Sequence, residues 1–540
     1  MSSQLSIHTR VRRLNQYIED LQRGLLQIPA FQRDFVWTPK NRLELFDSLK
    51  NGYPIGSILF WQPVPDQYRF ETQVIGPFSV PPKQDNYFYI LDGFQRLSTI
   101  LGCLINPDKI GSLQVDKAKW KQDFFICYDL DKEEFFLPRS QSVEVYQIPV
   151  YDLINTRAAF ALERRLVGNG YSESAVEAYI DRYTKLGTTL IDYNLPSIDI
   201  IGGGIEEVVE IFSRVNSKGA PISPDWMVSA LTFSSELGFR LGTEIDNLTR
   251  RLKKYNFQNL KRELILQCIT NSFGKAYYDQ KIEQLVKLYK DSFIDVTHNT
   301  IDSIEKAVLF LYEELLVVDS KLLPYGNQLI FVTDFFNKIA NPSRLQLDKL
   351  KRWFWITTYS SYFTIYSLSK QREAYYQFQK FLIDENEEPV FNDRPNSSFD
   401  VPDFPVKIFF GSVRAKALVL FMLNYSNNFE RVDATSTYGF DLRYLFDDYR
   451  DSKGNFYPES AVPILEIDQR FFYKHFLLSI VFDQEGDAFS ERHFITSEIK
   501  KINDTQEDGW ESKILNIRRD LIQSAERTFV ESLGLNYPRE

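Results

Sequence analysis

One short stretch, YILDGFQRLSTI (residues 89–100), constrains the fold of the first half of the chain more than any other. The apolar residues before Asp92 predict a buried strand, and the residues after Gly93 predict a helix. Gly93 permits the tight turn that joins them. A sheet that continues directly into a helix predicts a domain in which helices pack against short strands.

The residue types at this junction are also those that bind phosphate. The N-terminus of a helix has free N–H groups and a partial positive charge, and Arg96 would add a forked donor. Asp92 is placed to hold a divalent metal ion or to polarise a water molecule. The structural alternative is that Asp92 caps the helix while Arg96 forms a surface ion pair.

A second stretch, IPAFQRDFVW (residues 28–37), places Gln32 and Arg33 among three aromatic residues. Pro29 restricts the backbone, so the segment is predicted to be extended and to hold Arg33 against a polar ligand. The alternative is an arginine that extends out of an aromatic cluster into solvent.

A third stretch, IFSRVNSKG (residues 211–219), ends an amphipathic helix with Arg214, Asn216 and Gly219. Loops that follow helices often contain functional residues. The glycines at 202–204 precede this helix and predict a plain turn, with a phosphate-binding loop as the alternative. They lack the Lys-Ser/Thr ending of a P-loop.

The chain has 540 residues, which is too long for one hydrophobic core. The patterns predict an α+β domain over residues 1–235, a helical domain over 236–385 and a mostly helical domain over 400–540. Helical spacing predicts the first helix over residues 10–25. Thr38 and Pro39 predict the N-cap and first residue of the next one.

Composition narrows the classes of partner. The net charge of −10 argues against a uniformly basic DNA-binding surface and leaves room for a local one. A basic run with interleaved aromatic residues is the weak candidate for such a surface. It contains Arg250, Arg251, Lys253, Lys254, Lys261 and Arg262. A solvated helix face is the alternative explanation.

The chain has no apolar run of about 20 residues, so no membrane segment is expected. Three unclustered cysteines and the lack of a signal peptide predict a cytoplasmic protein.

The three stretches occur in a fixed order, and together they resemble the N-terminal domain of GmrSD-type proteins, prokaryotic defence proteins with a ParB/sulfiredoxin-like core. The resemblance covers about residues 10–235. It implies a ParB-like α+β fold that binds a nucleoside triphosphate (NTP) and, in several relatives, contributes to restriction of modified phage DNA.

Carried over residue by residue, the resemblance implies catalytic roles for Asp92, Gln95 and Arg96. It implies nucleotide or phosphate binding by further residues, namely Gln32, Arg33, Gly93, Arg96, Arg214, Asn216 and Gly219. Asp92 would bind Mg²⁺ or Mn²⁺. The expected partners are an NTP, DNA and a separate nuclease or other defence subunit, with self-association left open. One departure is Phe94, which stands where the family usually has glutamine and which cannot orient water.

The family's second half is usually a His-Asn-His nuclease. Here His475 and His493 lack the accompanying residues, which predicts a degenerate or missing nuclease. Three functions follow as hypotheses: an NTPase of a restriction system, a non-catalytic NTP-gated switch that binds DNA or protein, and a ParB-like endonuclease.

Overall fold

The computed structural model describes residues 5–29, 35–63, 74–82, 86–109, 114–138, 144–216, 239–274, 282–289, 291–394, 397–426, 439–446, 453–466 and 487–538. The chain divides into two compact units, Met1–Gly242 and Thr243–Glu540. The described residues of the first unit mix strands and helices, and those of the second are mostly helical, so the predicted α+β class is confirmed.

The first unit contains these elements: β1 (Ser6–Arg13), α1 (Leu14–Gln22), β2 (Leu26–Gln27), α2 (Pro39–Lys50), β3 (Ile58–Gln62), β4 (Val74–Ile75), β5 (Phe78–Ser79), β6 (Phe88–Asp92), α3 (Phe94–Leu104), α4 (Lys117–Lys119), β7 (Cys127–Asp129), β8 (Glu134–Phe136), β9 (Gln147–Pro149), α5 (Val150–Leu153), α6 (Thr156–Gly168), α7 (Glu173–Asp192), β10 (Asn194–Ile201) and α8 (Ile205–Asn216).

The second unit contains α9 (Leu241–Arg251, which begins in the first unit), α10 (Arg262–Asn271), α11 (Ile282–Leu288), α12 (Phe293–Leu315), α13 (Gly326–Lys338), α14 (Arg344–Tyr359), α15 (Tyr362–Ile365), α16 (Leu368–Ile383), α17 (Val413–Ser426), β11 (Gly439–Tyr444), β12 (Ala461–Glu466), α18 (Asp487–Arg492), α19 (Ser497–Thr505) and α20 (Trp510–Ser532).

The main sheet of the first unit joins five of the described strands in the order β1-β10-β3-β6-β2. Strand β3 runs parallel to β10 and antiparallel to β6. Asp92, the last residue of β6, pairs with Leu59 near the start of β3. Asp92 therefore lies at the end of the sheet where β3 and β10 begin.

Two separate apolar cores cover the two faces of this sheet. On one face, α1, α2 and α3 pack with Phe60 and Ile90 in the larger core. On the other face, Val208 and Phe212 of α8 pack with Trp61 in the smaller core. Because side chains alternate along a strand, the two faces receive alternate residues of β3 and β6. Helices α3 and α8 therefore lie on opposite sides of the sheet.

The first helix begins later than the spacing predicted. Residues 6–13 form β1, which pairs antiparallel with β10, and the helix begins at Leu14. Val11, which falls within the range predicted to be helical, is an exposed residue of an edge strand. The prediction of a helix from residue 10 was wrong because strand pairing, which is non-local, overrides a short run of helical spacing.

The second helix begins as predicted. Thr38 accepts a hydrogen bond from the backbone N–H of Asn41, and Pro39 is the first helical residue. The cap satisfies one of the free N–H groups that every helix start leaves.

A buried charged network holds the second unit together around Glu526 of α20, which is fully buried. Arg414 of α17 donates to both carboxylate oxygens of Glu526 at 2.7 Å. The hydroxyls of Tyr359 and Tyr537 donate to the same two oxygens at 2.9 and 2.8 Å. Each carboxylate oxygen thus has two donors, which is the condition under which a buried charge is tolerated.

Candidate functional site

The turn between β6 and α3 depends on a glycine. Gly93 has φ of +85°, in the left-handed region that favours glycine. A Cβ at this position would lie 2.3 Å from Cδ1 of Ile58. Any side chain at residue 93 would therefore clash with the side chain of Ile58, so this buried turn requires glycine.

Arg96 is the one residue of α3 that is not buried. Its Nη2 donates to Oδ2 of Asp92 at 2.9 Å, and its Nη1 donates to the carbonyl oxygen of Ile55 at 2.6 Å. The side chain of Asp92 is 38% exposed and that of Arg96 is 18% exposed. The guanidinium is therefore fixed in direction and still reaches the surface beside the N-terminus of α3.

A second glycine, which the sequence patterns did not single out, makes room for Arg96. Gly56 has φ of +84°, and a Cβ there would lie 2.4 Å from Nη1 of Arg96. The signal in the sequence was a glycine between Pro54 and an apolar strand, a position that often marks close approach of another group.

Gln95, predicted to be catalytic, is buried and lies in a structural contact. Its Oε1 accepts a hydrogen bond from the backbone N–H of Val36 at 2.9 Å. Val36 directly follows the segment that contains Gln32 and Arg33. The contact ties Val36 to α3, and the neighbouring Phe35 packs against Phe124 at a ring-centroid distance of 4.9 Å.

Replacing Gln95 by leucine should destabilise the first unit by about 0.5–1.5 kcal/mol, because the hydrogen bond between the buried Gln95 side chain and the N–H of Val36 would be lost. Urea denaturation of the full chain would measure the change. The matched control is Gln122→Leu, since Gln122 is exposed and a surface change should stay within about 0.5 kcal/mol. Equal midpoints for the two variants would contradict a role for Gln95 in holding the segment.

The other predicted ligand-binding residues are placed as follows. Gln32, Arg33 and Gly219 lie outside the described residues, and so does the side chain of Asn216. Arg214 is 78% exposed on α8 and forms an ion pair with Glu210 at 2.6 Å. The structure therefore brings together Asp92, Gly93, Gln95 and Arg96 from one stretch, and Arg214 lies on a helix of the opposite face.

Helix α8 follows β10 after a turn at the far end of the sheet, where the Gly202 N–H donates to the carbonyl of Gln62. Val208, Val209 and Phe212 of α8 pack into the smaller core.

The three glycines at 202–204 form a turn in which the backbone N–H of Gly204, a donor that a phosphate could use, already has an acceptor. The N–H of Gly204 donates to Oε2 of Glu207 at 2.9 Å. A carboxylate at the position where a phosphate would bind favours the plain turn over the phosphate-binding loop.

Asp92 offers at most one carboxylate to a metal ion. One of its oxygens accepts from Arg96, and no group of three His, Cys, Asp or Glu side chains suited to a metal lies within the described part of the chain. Mg²⁺ is commonly held by one or two carboxylates together with phosphate oxygens. Asp92 fits that mode of binding and does not form a metal site alone.

The basic run is largely neutralised by acidic neighbours in the second unit. Arg251 pairs with Glu305 at 3.0 Å, and Lys254 pairs with the same carboxylate at 3.3 Å. Arg262 pairs with Asp246. Arg250 bonds Asn247, whereas Lys253 and Lys261 have no ion pair with a described residue. These contacts favour the solvated, ion-paired helix face over a strong phosphate-binding surface.

His493 is buried after α18, and His475 lies outside the described residues. Burial, with the guanidinium groups of Arg518 and Arg492 nearby, lowers the pKa of His493 to about 3. A histidine with so low a pKa is a poor general base near neutral pH.

This depressed pKa predicts an acid-sensitive second unit. Below the usual histidine pKa of about 6.5 the unfolded chain binds a proton at His493 that the folded chain does not, so stability falls as the pH drops toward 3. The His493→Gln variant should lose stability less steeply, by up to about 1.4 kcal/mol per pH unit. Urea denaturation of the wild-type chain and of His493→Gln between pH 7 and pH 4, a span of about three pH units, tests this. Parallel plots of unfolding free energy against pH for the two proteins would contradict it.

Comparison with known proteins identifies the domain to which this site belongs. Residues 14–233 match the family model described as "GmrSD restriction endonuclease, N-terminal domain". The chain therefore contains a GmrSD-type N-terminal domain, and the match supports a role in restriction. The β6–α3 site lies within the matched residues.

A relative of similar length is found in an archaeon. The chain is 22% identical over 462 residues to "Uncharacterized protein MJ0686" of Methanocaldococcus jannaschii, a match that covers 78% of this chain and 77% of the relative. The similarity extends well beyond the N-terminal domain, so the helical second unit is shared at least in part. Among the described helices, none is both long and apolar enough to cross a bilayer.

Proposed function

We propose that the N-terminal domain binds a nucleoside triphosphate at the start of α3, and that the protein hydrolyses it as part of a prokaryotic restriction system that acts on DNA. The observation that supports this most is Arg96, whose guanidinium is held beside Asp92 and which is the one residue of α3 that is not buried. The GmrSD-type domain supports the restriction role.

The surroundings of Arg96 suit a phosphate group. A guanidinium has five N–H donors, and two of them are used by Asp92 and Ile55. The remaining donors lie next to the N-terminus of α3, where the helix dipole favours negative charge. Asp92 and Arg96 are the partly exposed residues of this turn, so a phosphate beside Arg96 would meet both positive charge and hydrogen-bond donors.

Asp92 would have two tasks in this proposal. It orients Arg96, and it would serve as the single protein ligand of Mg²⁺ or Mn²⁺ brought with the triphosphate. The metal ion, when bound, would neutralise charge on the phosphate oxygens. Gln32, Arg33, Arg214, Asn216 and Gly219 remain proposed contacts to the nucleotide, and the ParB/sulfiredoxin-like fold remains the proposed frame.

Hydrolysis is tested by measuring phosphate and pyrophosphate release from each of the four common NTPs. Each NTP is supplied at about 1 mM or more, with and without DNA and Mg²⁺. The proposal expects turnover by the wild-type chain and none by Asp92→Ala. The matched control is Asp116→Ala, which removes a helix-capping carboxylate of the same unit that lies outside the site. Wild-type release at background level with every NTP would reject the enzyme.

The second candidate is a non-catalytic switch in which NTP binding alters a surface that contacts DNA or a partner subunit. The buried state of Phe94 and Gln95 favours it, because neither side chain is left to orient a water molecule. Calorimetry would then show NTP binding without turnover. A ParB-like endonuclease is the remaining alternative, and supercoiled plasmid left intact with Mg²⁺ or Mn²⁺ would argue against it.

A further inference from the structure

A second concave site lies at the opposite end of α3 from Arg96. It is a cavity of about 470 Å³ formed by α1, the end of α3, α5 and the start of α6. Helix α3 has 11 residues, so the cavity lies about 16 Å along the helix from the β6–α3 turn. Its volume is within the range of about 300–1,000 Å³ that small-molecule sites occupy.

The amide side chains in this cavity present donors. Oδ1 of Asn106 accepts from the backbone N–H of Asp108 at 2.9 Å, and Oδ1 of Asn155 accepts from the backbone N–H of Arg157 at 3.1 Å. Both asparagines line the cavity. Because the asparagine oxygens are used in local turns, these two side chains offer a ligand their amide NH₂ groups, and Gln22, which also lines the cavity, adds a third amide.

Two cations at the rim add positive charge. Lys109 and Arg157 line the cavity and are exposed, and neither has a carboxylate within 4.0 Å among the described residues. No acidic residue is among the described side chains that line the cavity, although two carboxylates lie close behind it: Asp152, which interacts electrostatically with Lys109, and Asp108, which is paired with Lys117. Burial, together with the nearby carboxylate of Asp152, raises the pKa of Tyr151 to about 12, so its hydroxyl is a hydrogen-bond donor.

The remaining lining is apolar. Ile18 of α1, Ile105 after α3 and Ile154 after α5 contribute aliphatic surface, and Tyr151 contributes an aromatic ring. A free inorganic anion would use the donors and leave this surface in water. An organic anion would use both, so the cavity fits a molecule with an anionic group and a flat or apolar body.

We propose that this cavity binds a small organic phosphate of the size of a nucleoside monophosphate. Its phosphate would lie between Lys109 and Arg157 with the two asparagine amides as neutral donors, and its body would lie over Tyr151 and the isoleucines. The site is independent of the proposed NTP site, since it shares no residue with the β6–α3 turn.

The test is calorimetric titration of the full chain with AMP, GMP, CMP and UMP, with the parent nucleosides and with inorganic phosphate. The Arg96→Ala variant is titrated in parallel, so that binding at the β6–α3 turn is separated from binding in the cavity. We expect at least one monophosphate to bind both proteins equally, and to bind about tenfold or more tightly than either its nucleoside or inorganic phosphate.

Charge-neutralising variants locate the site. Arg157→Gln and Lys109→Gln should each weaken the binding by about tenfold, which is the usual scale for a charged hydrogen bond. The matched control is Arg164→Gln, an exposed arginine of α6 that does not line the cavity; it should change affinity by less than about twofold.

The proposal would be overturned if no monophosphate bound at about 10 mM, if nucleoside and monophosphate bound equally, or if Arg164→Gln and Arg157→Gln lost binding equally. Loss of all monophosphate binding in Arg96→Ala would place the ligand at the β6–α3 turn instead. That result would overturn the cavity site and leave the proposed function standing.

Discussion

Replacing Arg96 by alanine should weaken NTP binding by about 100-fold or more, equivalent to roughly 3 kcal/mol. The variant removes a guanidinium that Asp92 and Ile55 hold in one direction. Because the wild-type guanidinium is already oriented, it loses little conformational entropy when the ligand binds. It also leaves the Asp92 carboxylate without its partner, beside the position proposed for the triphosphate. Loss of attraction and new repulsion act in the same direction.

Arg96→Lys should lose nearly as much affinity, because a single ammonium cannot donate to Asp92, Ile55 and a phosphate with the geometry of a fork. Calorimetry with a slowly hydrolysed NTP analogue measures both variants. Arg164→Ala is the control for removal of an arginine from the surface of the same unit. An Arg96→Ala affinity equal to that of the control would remove Arg96 from the site.

Glu526→Gln should destabilise the second unit by about 3–5 kcal/mol, the usual cost of breaking a buried ion pair by changing one partner. Arg414 would remain buried with a neutral amide in place of its carboxylate. The amide also has only one oxygen to accept from Tyr359 and Tyr537, which now donate to separate oxygens. Both effects leave buried polar groups unsatisfied.

The matched control for Glu526 is Glu531→Gln, an exposed glutamate of the same helix. It should change the free energy of unfolding, measured by urea denaturation, by no more than about 0.5 kcal/mol. A Glu526→Gln variant as stable as this control would show that the pair contributes little to the fold.

The sequence predicted the parts of the fold that local rules determine. Thr38 and Pro39 marked the start of α2, and Asp92 followed by Gly93 marked the strand-to-helix turn, because caps and tight turns restrict residue choice within a few positions. The helix predicted from residue 10 was wrong because the partner of β1 is β10, which lies almost two hundred residues later.

The site was predicted only in part for the same reason. Asp92 and Arg96 are four residues apart on the chain, and their pairing follows from helical spacing. The contacts of Arg96 with Ile55 and Gly56, and of Gln95 with Val36, join segments about 40–60 residues apart. No spacing rule links such segments, so the supporting role of Gln95 and the need for Gly56 became visible only in three dimensions.

The most direct test of the central claim is a crystal structure of the full chain with a slowly hydrolysed NTP analogue and Mg²⁺. The account predicts triphosphate density at the N-terminus of α3, with the guanidinium of Arg96 hydrogen-bonded to a phosphate oxygen. A triphosphate bound in the second unit, or at any place that leaves Arg96 and Gly93 without a phosphate contact, would contradict it.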